Sequence, residues 1–117
     1  MSHEDDQGKS KPMTVEEATR IAAHRALGEL YEARAKAADG TWGDVREAIE
    51  NLTLAGEVTR AWPLVETYVR ALSAKGVTDE ATQILRRCEE RGLTGDLLAR
   101  SILLRHDLAA AAGASID

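Results

Sequence analysis

Three consecutive segments between Val58 and Gly113 share one grammar, and it constrains the fold more than anything else in the chain. They read VTRAWPLVETYVRALSAKG, VTDEATQILRRCEERG and LTGDLLARSILLRHDLAAAAG. Each has Thr near its start, apolar residues at i, i+3 and i+4, and Gly at its end. A Thr side chain accepts hydrogen bonds from the free N–H groups of a first helical turn, and Gly readily takes the left-handed conformation that closes a last one. The interior spacing is that of one apolar helix face. The connections are short, so neighbouring helices must be antiparallel or sharply angled. The alternating β-branched runs that mark strands are absent. The expected fold is all-α, a compact bundle or stack of about five antiparallel helices.

The rest of the chain extends this pattern. Residues 1–13 are polar, include the acidic run Glu4-Asp5-Asp6, and hold too little apolar surface to offset chain entropy, so they read as a disordered tail. A single helical domain is expected over 14–113, with 114–117 disordered. Helix 1 starts at Thr14, with Glu17 at capping-box spacing. Ala23, Leu27, Leu30, Tyr31 and Arg34 form its expected stripe, and it ends near Ala38. Helix 2 follows Thr41-Trp42-Gly43-Asp44 and buries Val45, Ala48, Ile49, Leu52 and Ala55. It ends either at Gly56 or near Ala61, before Pro63, which suits the first turn of helix 3. Leu64, Val65, Tyr68, Val69 and Leu72 face the core from helix 3. Helix 4 is capped by Thr78, lined by Ala81, Ile84, Leu85 and Cys88, and stopped by Gly92. Helix 5 starts at Thr94 or Asp96, presents Leu97, Leu98, Ser101, Ile102, Leu104 and Leu108, and ends at Gly113. Gly56-Glu57-Val58-Thr59-Arg60-Ala61 and Gly76-Val77-Thr78-Asp79-Glu80-Ala81 both read Gly, then Thr, then Ala, a weak similarity attributable to shared capping chemistry.

Charge and cysteine content narrow the function. The 117 residues carry a net charge of -5, which disfavours general nucleic-acid binding, since that requires a positive field to displace counterions. The imbalance is uneven. Residues 1–58 hold 7 Lys/Arg against 12 Asp/Glu, and residues 59–117 hold 8 of each. Cys88 is the only cysteine, so no internal disulfide forms and a reducing, cytoplasmic location is expected. The N-terminus has no apolar signal-peptide core, and no run is long enough to span a membrane.

Catalytic and metal motifs are missing. His3, His24 and His106 have no partners at ligand spacing, and no HExxH, CxxC or Gly-rich phosphate loop occurs. No cofactor and no metal are therefore expected. Cys88 lies on an apolar stripe, as a small core residue would. The candidate partner-binding residues are Arg86, Arg87, Arg91, Arg100 and Arg105, together with Trp42 and Trp62, because Trp and Arg dominate interface hot spots. The arginines also read as a solvated face complementing helix C-termini, and Trp62 also reads as core. Trp42, in a loop beside Gly43, is expected to be the more exposed tryptophan.

Two resemblances bear on the C-terminal half. RALSAKGVTDEATQILRRCEERGLTGD, with Ala74, Gly76, Ala81 and Gly92, resembles a helical-hairpin repeat of the tetratricopeptide or pentatricopeptide kind. LSAKGVTDEATQILRRCEERGLTGDLLARSILLRH is similar to one three-helix repeat of the RecX family, which modulates the RecA recombinase filament. That similarity rests on Lys75-Gly76, Gly92-Leu93, Asp96, Ala99-Arg100 and Arg105-His106, and it implies a role at a nucleoprotein filament. The hairpin also fits a helix-turn-helix that presents Thr94, Gly95, Asp96 and Arg100 to a groove, although Asp96 would repel phosphate. The favoured expectation is a non-enzymatic module that binds a protein partner as an adaptor, chaperone or regulator. The rival is a nucleic-acid or nucleoprotein regulator acting through the arginine-bearing hairpin. The Ala/Leu-rich helices 1 and 5 also offer a second copy a place to pair.

Overall fold

The computed structural model describes the backbone of residues 12–116 and side chains as far as Gly113. Of the expected tail over 1–13, only Pro12 and Met13 fall within the described residues; both are exposed and outside any helix. Five helices make up the fold: α1 (Val15–Lys36), α2 (Trp42–Leu54), α3 (Val58–Ala74), α4 (Thr78–Glu90) and α5 (Gly95–Ile116). The described residues contain no strand.

Local chemistry sets most of the boundaries. The Thr14 hydroxyl accepts from the Glu17 N–H at 3.0 Å, and the Glu17 carboxylate accepts from the Thr14 N–H at 2.9 Å. Thr41 and Asp44 form a second capping box, with both bonds at 3.1 Å. That box starts α2 at Trp42, so Trp42 belongs to the first helical turn and not to a loop. Thr78 does not cap α4 as expected. Val77 occupies the cap, with no side-chain bond, and Thr78 is already helical.

Three helices end in the same turn. Gly56, Gly76 and Gly92 have φ of 80, 78 and 109°. In each case the Gly N–H bonds back to a carbonyl three residues earlier (Thr53, Ser73, Glu89). The next residue bonds five back, in Glu57→Leu52, Val77→Leu72 and Leu93→Cys88. This is the Schellman arrangement, which requires a residue free to take positive φ. The turn at Gly56 settles where α2 ends. It also moves Pro63 from the first turn of α3 to its interior, six residues in. Pro63 is exposed, so the Thr59 carbonyl it leaves without a helical N–H can turn to water instead. At the far end, α5 runs through Gly113 to Ile116. A Gly inside a helix costs only about 1 kcal/mol against Ala.

Cross-helix contacts define two layers. Arg25 and Arg60 of α1 and α3 pair with Glu57, Glu29 and Glu32, which sets α1 alongside α3 in the same direction. Arg100 reaches Glu66, and further along Leu104 and Leu108 share a hollow with Val69 and Ala74, placing α5 alongside α3 in the same sense. Arg46–Glu80 and Arg87–Glu50 do the same for α2 and α4. One layer is thus α1, α3 and α5, and the other is α2 and α4, running the opposite way. Helices touch mainly their chain neighbours, the contact pattern of a helical stack. The core lies between the layers, around Leu52, Val65, Val69, Leu85 and Cys88.

The two hairpins α2–α3 and α4–α5 repeat one burial pattern. Val45 and Ala81, Ile49 and Leu85, Leu52 and Cys88, Val65 and Ser101, and Leu72 and Leu108 are all buried pairs with the same separation in sequence. The left-handed glycines Gly56 and Gly92 share that separation.

Helix α1 docks on a face other than the expected one. Leu27 and Leu30 are 43% and 51% exposed, whereas Ile21, His24, Gly28, Tyr31 and Ala35 turn inward. Gly28 decides the orientation. A Cβ there would lie 2.7 Å from Leu52 Cδ2, so the two helices approach more closely than any side chain at residue 28 would permit. His24 Nδ1 lies 2.9 Å from Asn51 Oδ1, while Asn51 Nδ2 donates to the Glu47 carbonyl. With the Asn51 oxygen accepting, His24 must carry its proton on Nδ1.

Candidate functional site

A concave surface lies between α2 and α4. Arg46, Ile49 and Glu50 line it from α2, Glu80, Gln83, Ile84 and Arg87 from α4, and Tyr68 of α3 from below. Its volume is about 170 Å³. The lining residues fall at i, i+3 and i+4 on α2 and at i, i+3, i+4 and i+7 on α4, so one face of each is presented. Ile49 and Ile84, both nearly buried, make an apolar floor. Charges of both signs make the rim.

The rim charges are held loosely. Arg46 Nε is 3.8 Å from Glu80, and Arg87 Nη1 is 3.6 Å from Glu50. The side chains of these four residues are between 37% and 67% exposed. Such pairs contribute about 0–1 kcal/mol, so an incoming group can replace either partner at little cost. Tyr68 OH donates to Glu80 at 3.1 Å. Burial, reinforced by that bond, pushes the phenol above its ordinary pKa, so Tyr68 serves as a neutral donor.

Trp42 stands beside this groove. It is 46% exposed, yet its ring packs on Tyr68 with centroids 5.9 Å apart and planes tilted by 34°. The Thr41–Asp44 capping box fixes its backbone. An exposed aromatic that is already ordered loses little further freedom on binding.

The other predicted residues do not converge. Arg87 is in the groove. Arg86 and Arg105 line a separate shallow hollow with Thr82, His106 and Ala109. Arg100 lies on the α3–α5 side with Glu66 and Arg70, and Arg91 is the exposed C-cap of α4. Arg100 and Arg105 act as staples between helices. Arg105 bonds both oxygens of Glu89, at 2.9 and 3.0 Å, and Ser101 donates to the same carboxylate at 2.6 Å. Arg100 reaches Glu66 at 2.8 Å, with Arg70 at 3.0 Å on the same group. Burial alone would raise the pKa of Glu89 and of Glu66. The arginine bonds, with Ser101 added at Glu89, overcome it and hold both below the ordinary range.

Trp62 is a correction. It is 3% exposed, inside the main core cluster, and has no surface to offer a partner. Cys88 is buried as well. Burial pushes its thiol up to about 11, so it is not a reactive thiolate at neutral pH.

Sequence reasoning missed Arg46, Glu50, Tyr68, Glu80 and Gln83. The legible signal was reciprocal charge on two helices: Arg then Glu in α2, Glu then Arg in α4, each pair flanking an isoleucine. Among the described residues, no three His, Cys, Asp or Glu side chains gather as metal ligands, and no helix is long and apolar enough to cross a membrane. Comparison with protein-family models, curated proteins and solved structures finds no match.

Proposed function

We propose that this chain is a non-enzymatic protein-interaction module, an adaptor, chaperone or regulator of the cytoplasm, and that it receives a segment of its partner in the groove between α2 and α4. The observation that carries this reading is Trp42: half exposed, ordered by Tyr68, and beside an apolar floor rimmed by exchangeable charges. Buried aromatic anchors surrounded by weaker polar contacts are the usual source of interface affinity. Arg46, Glu50, Glu80 and Arg87 would set register and on-rate, while Ile49 and Ile84 take an apolar side chain. The recurring hairpin supports a scaffold of the tetratricopeptide or pentatricopeptide kind.

This reading is preferred to the nucleic-acid one for an electrostatic reason. Arg100 and Arg105 are neutralised by Glu66 and Glu89. Phosphate would have to compete with carboxylates already in place. The test is affinity capture from extract of the source organism with the wild-type chain, Trp42→Ala and Arg100→Glu, after nuclease treatment. The expected result is one stoichiometric protein, lost with Trp42→Ala and retained with Arg100→Glu. Recovery that disappears with nuclease, or depends on Arg100 and not on Trp42, would move the site to the other layer.

A further inference from the structure

The stack has one end that is not finished for water. A terminal helix of a stack normally turns a polar face outward. The outermost helix at the other end, α5, meets that rule in part: Asp96, Arg100, His106 and Asp107 are exposed, and so is Leu103, at 63%. Helix α1 departs from it further. Opposite its docked stripe it presents Val15, Thr19, Ala22, Ala23, Ala26, Leu30 and Ala33, with Leu27 at the edge, and all of these are exposed. Thr19, Ala23, Ala26, Leu30 and Ala33 follow the alternating three-and-four spacing of a helix–helix seam. The stretch Val15–Arg20 also runs past the end of α2 with every residue exposed, although unsupported helical turns are marginal in water.

Two sets of charges bear on the outer face of α1, with Glu17 held in the capping box and the exposed Arg20 belonging to neither. Those facing the rest of the fold are engaged: Arg25 with Glu57, Glu29 and Glu32 with Arg60, and Lys36 with Glu32. Glu16 and Arg34 lie on one edge of the outer face, at opposite ends of the helix. Neither has an ion pair among the described residues, although Arg34 sits over the Tyr31 ring at 5.7 Å.

We propose that the outer face of α1 pairs antiparallel with α1 of a second copy about a two-fold axis near residues 25 and 26. An isologous contact must be self-complementary, and this face is. In the antiparallel arrangement Glu16 of each copy meets Arg34 of the other, the helix dipoles oppose, and the small alanines let the axes come close. A parallel pair would put the two Glu16–Arg34 edges on opposite sides of the contact, so neither charge would meet the other. A 22-residue helix is about 33 Å long and covers less than the roughly 800 Å² per partner of a standard interface. The contact is therefore a weak one, and the dimer dissociates on dilution.

Sedimentation velocity of the full chain over a concentration series tests this. Wild type shifts from monomer to dimer, and Leu30→Glu, a substitution at an exposed position by a good helix former, stays monomeric with unchanged helicity. Glu16→Arg and Arg34→Glu each weaken the dimer, and the double exchange restores it. Under mild oxidation Ala26→Cys cross-links to its own copy, whereas Val15→Cys and Ala33→Cys do not, because only residues near the axis meet themselves. A chain still monomeric at about 1 mM, where even a millimolar contact would be half formed, overturns the proposal. So does a dimer that Leu30→Glu leaves intact, or one in which Val15→Cys cross-links as well as Ala26→Cys.

Discussion

Replacing Gly28 by Ala should destabilise this protein, although the same change in most exposed helices stabilises it. The intrinsic gain of Gly→Ala within a helix is about 1 kcal/mol. Against it stands the contact with α2. The new Cβ would lie 2.7 Å from both Cγ and Cδ2 of Leu52 and 3.0 Å from the Leu52 backbone nitrogen. Carbon atoms in contact prefer about 3.5–4.0 Å, so roughly an ångström must be found. Leu52 is fully buried and cannot swing aside, and its nitrogen is fixed in α2. Helix α1 must back away, which loosens Ile21, Tyr31 and the His24–Asn51 hydrogen bond together. Overpacking of this kind costs about 1–3 kcal/mol, and part of the loosened packing adds to it. The net loss is about 1–2 kcal/mol, a fall in Tm of several degrees for a domain of this size. Gly113 is the control. It too is helical, but a Cβ there meets nothing within 4 Å, so Gly113→Ala should be neutral or stabilising by up to about 1 kcal/mol. Thermal and urea unfolding followed by circular dichroism measures both. If Gly28→Ala raised stability as Gly113→Ala does, the close packing of α1 on α2 would be refuted.

Three further outcomes follow from the site and the core. Glu89 is a carboxylate whose folded pKa is depressed, so its contribution is present above the ordinary Glu value of 4.5 and is lost as pH falls through the folded value. Arg105→Ala should cost about 1–3 kcal/mol at neutral pH and flatten the loss of stability on acidification; an unchanged acid limb would contradict the pairing. Cys88, with its thiol near 11 and its side chain buried, should resist thiol reagents at mildly alkaline pH until the protein unfolds, and prompt labelling of native protein would show the hairpin open. Trp62 in Trp42→Phe should emit at short wavelength and resist acrylamide quenching, Trp42 in Trp62→Phe should do the reverse, and equal quenching would remove the distinction between anchor and core.

The sequence made the helices legible wherever their chemistry was local. Thr14 with Glu17 announced a capping box, and Gly56, Gly76 and Gly92 announced their turns, because those effects depend on neighbours three to five residues away. The stripes of α2, α3, α4 and α5 were legible for the same reason. The face of α1 was not. Hydropathy ranks Leu27 and Leu30 above Gly28, but close approach of two backbones depends on a missing side chain, which no apolar scale rewards. Pro63 was misplaced because its preference for a first turn is weaker than the positive-φ turn at Gly56. The recurrence of the hairpin was hidden because burial repeats while identity does not: Leu52 answers to Cys88, and Val65 to Ser101. The arginines were misread as one face because the partners that separate them, Glu66 for Arg100 and Glu50 for Arg87, are more than thirty residues away.

The most direct test of the central claim is a photo-cross-linking amino acid placed at Gln83, in the wall of the α2–α4 groove, with the same probe at His106 on the opposite layer as reference. Illuminated in extract of the source organism, the Gln83 probe should capture a single segment of one partner protein, and Trp42→Ala should abolish that product while the His106 probe yields none. Capture from His106 but not Gln83, or a Gln83 product that survives Trp42→Ala, would contradict the assignment of this groove as the binding site.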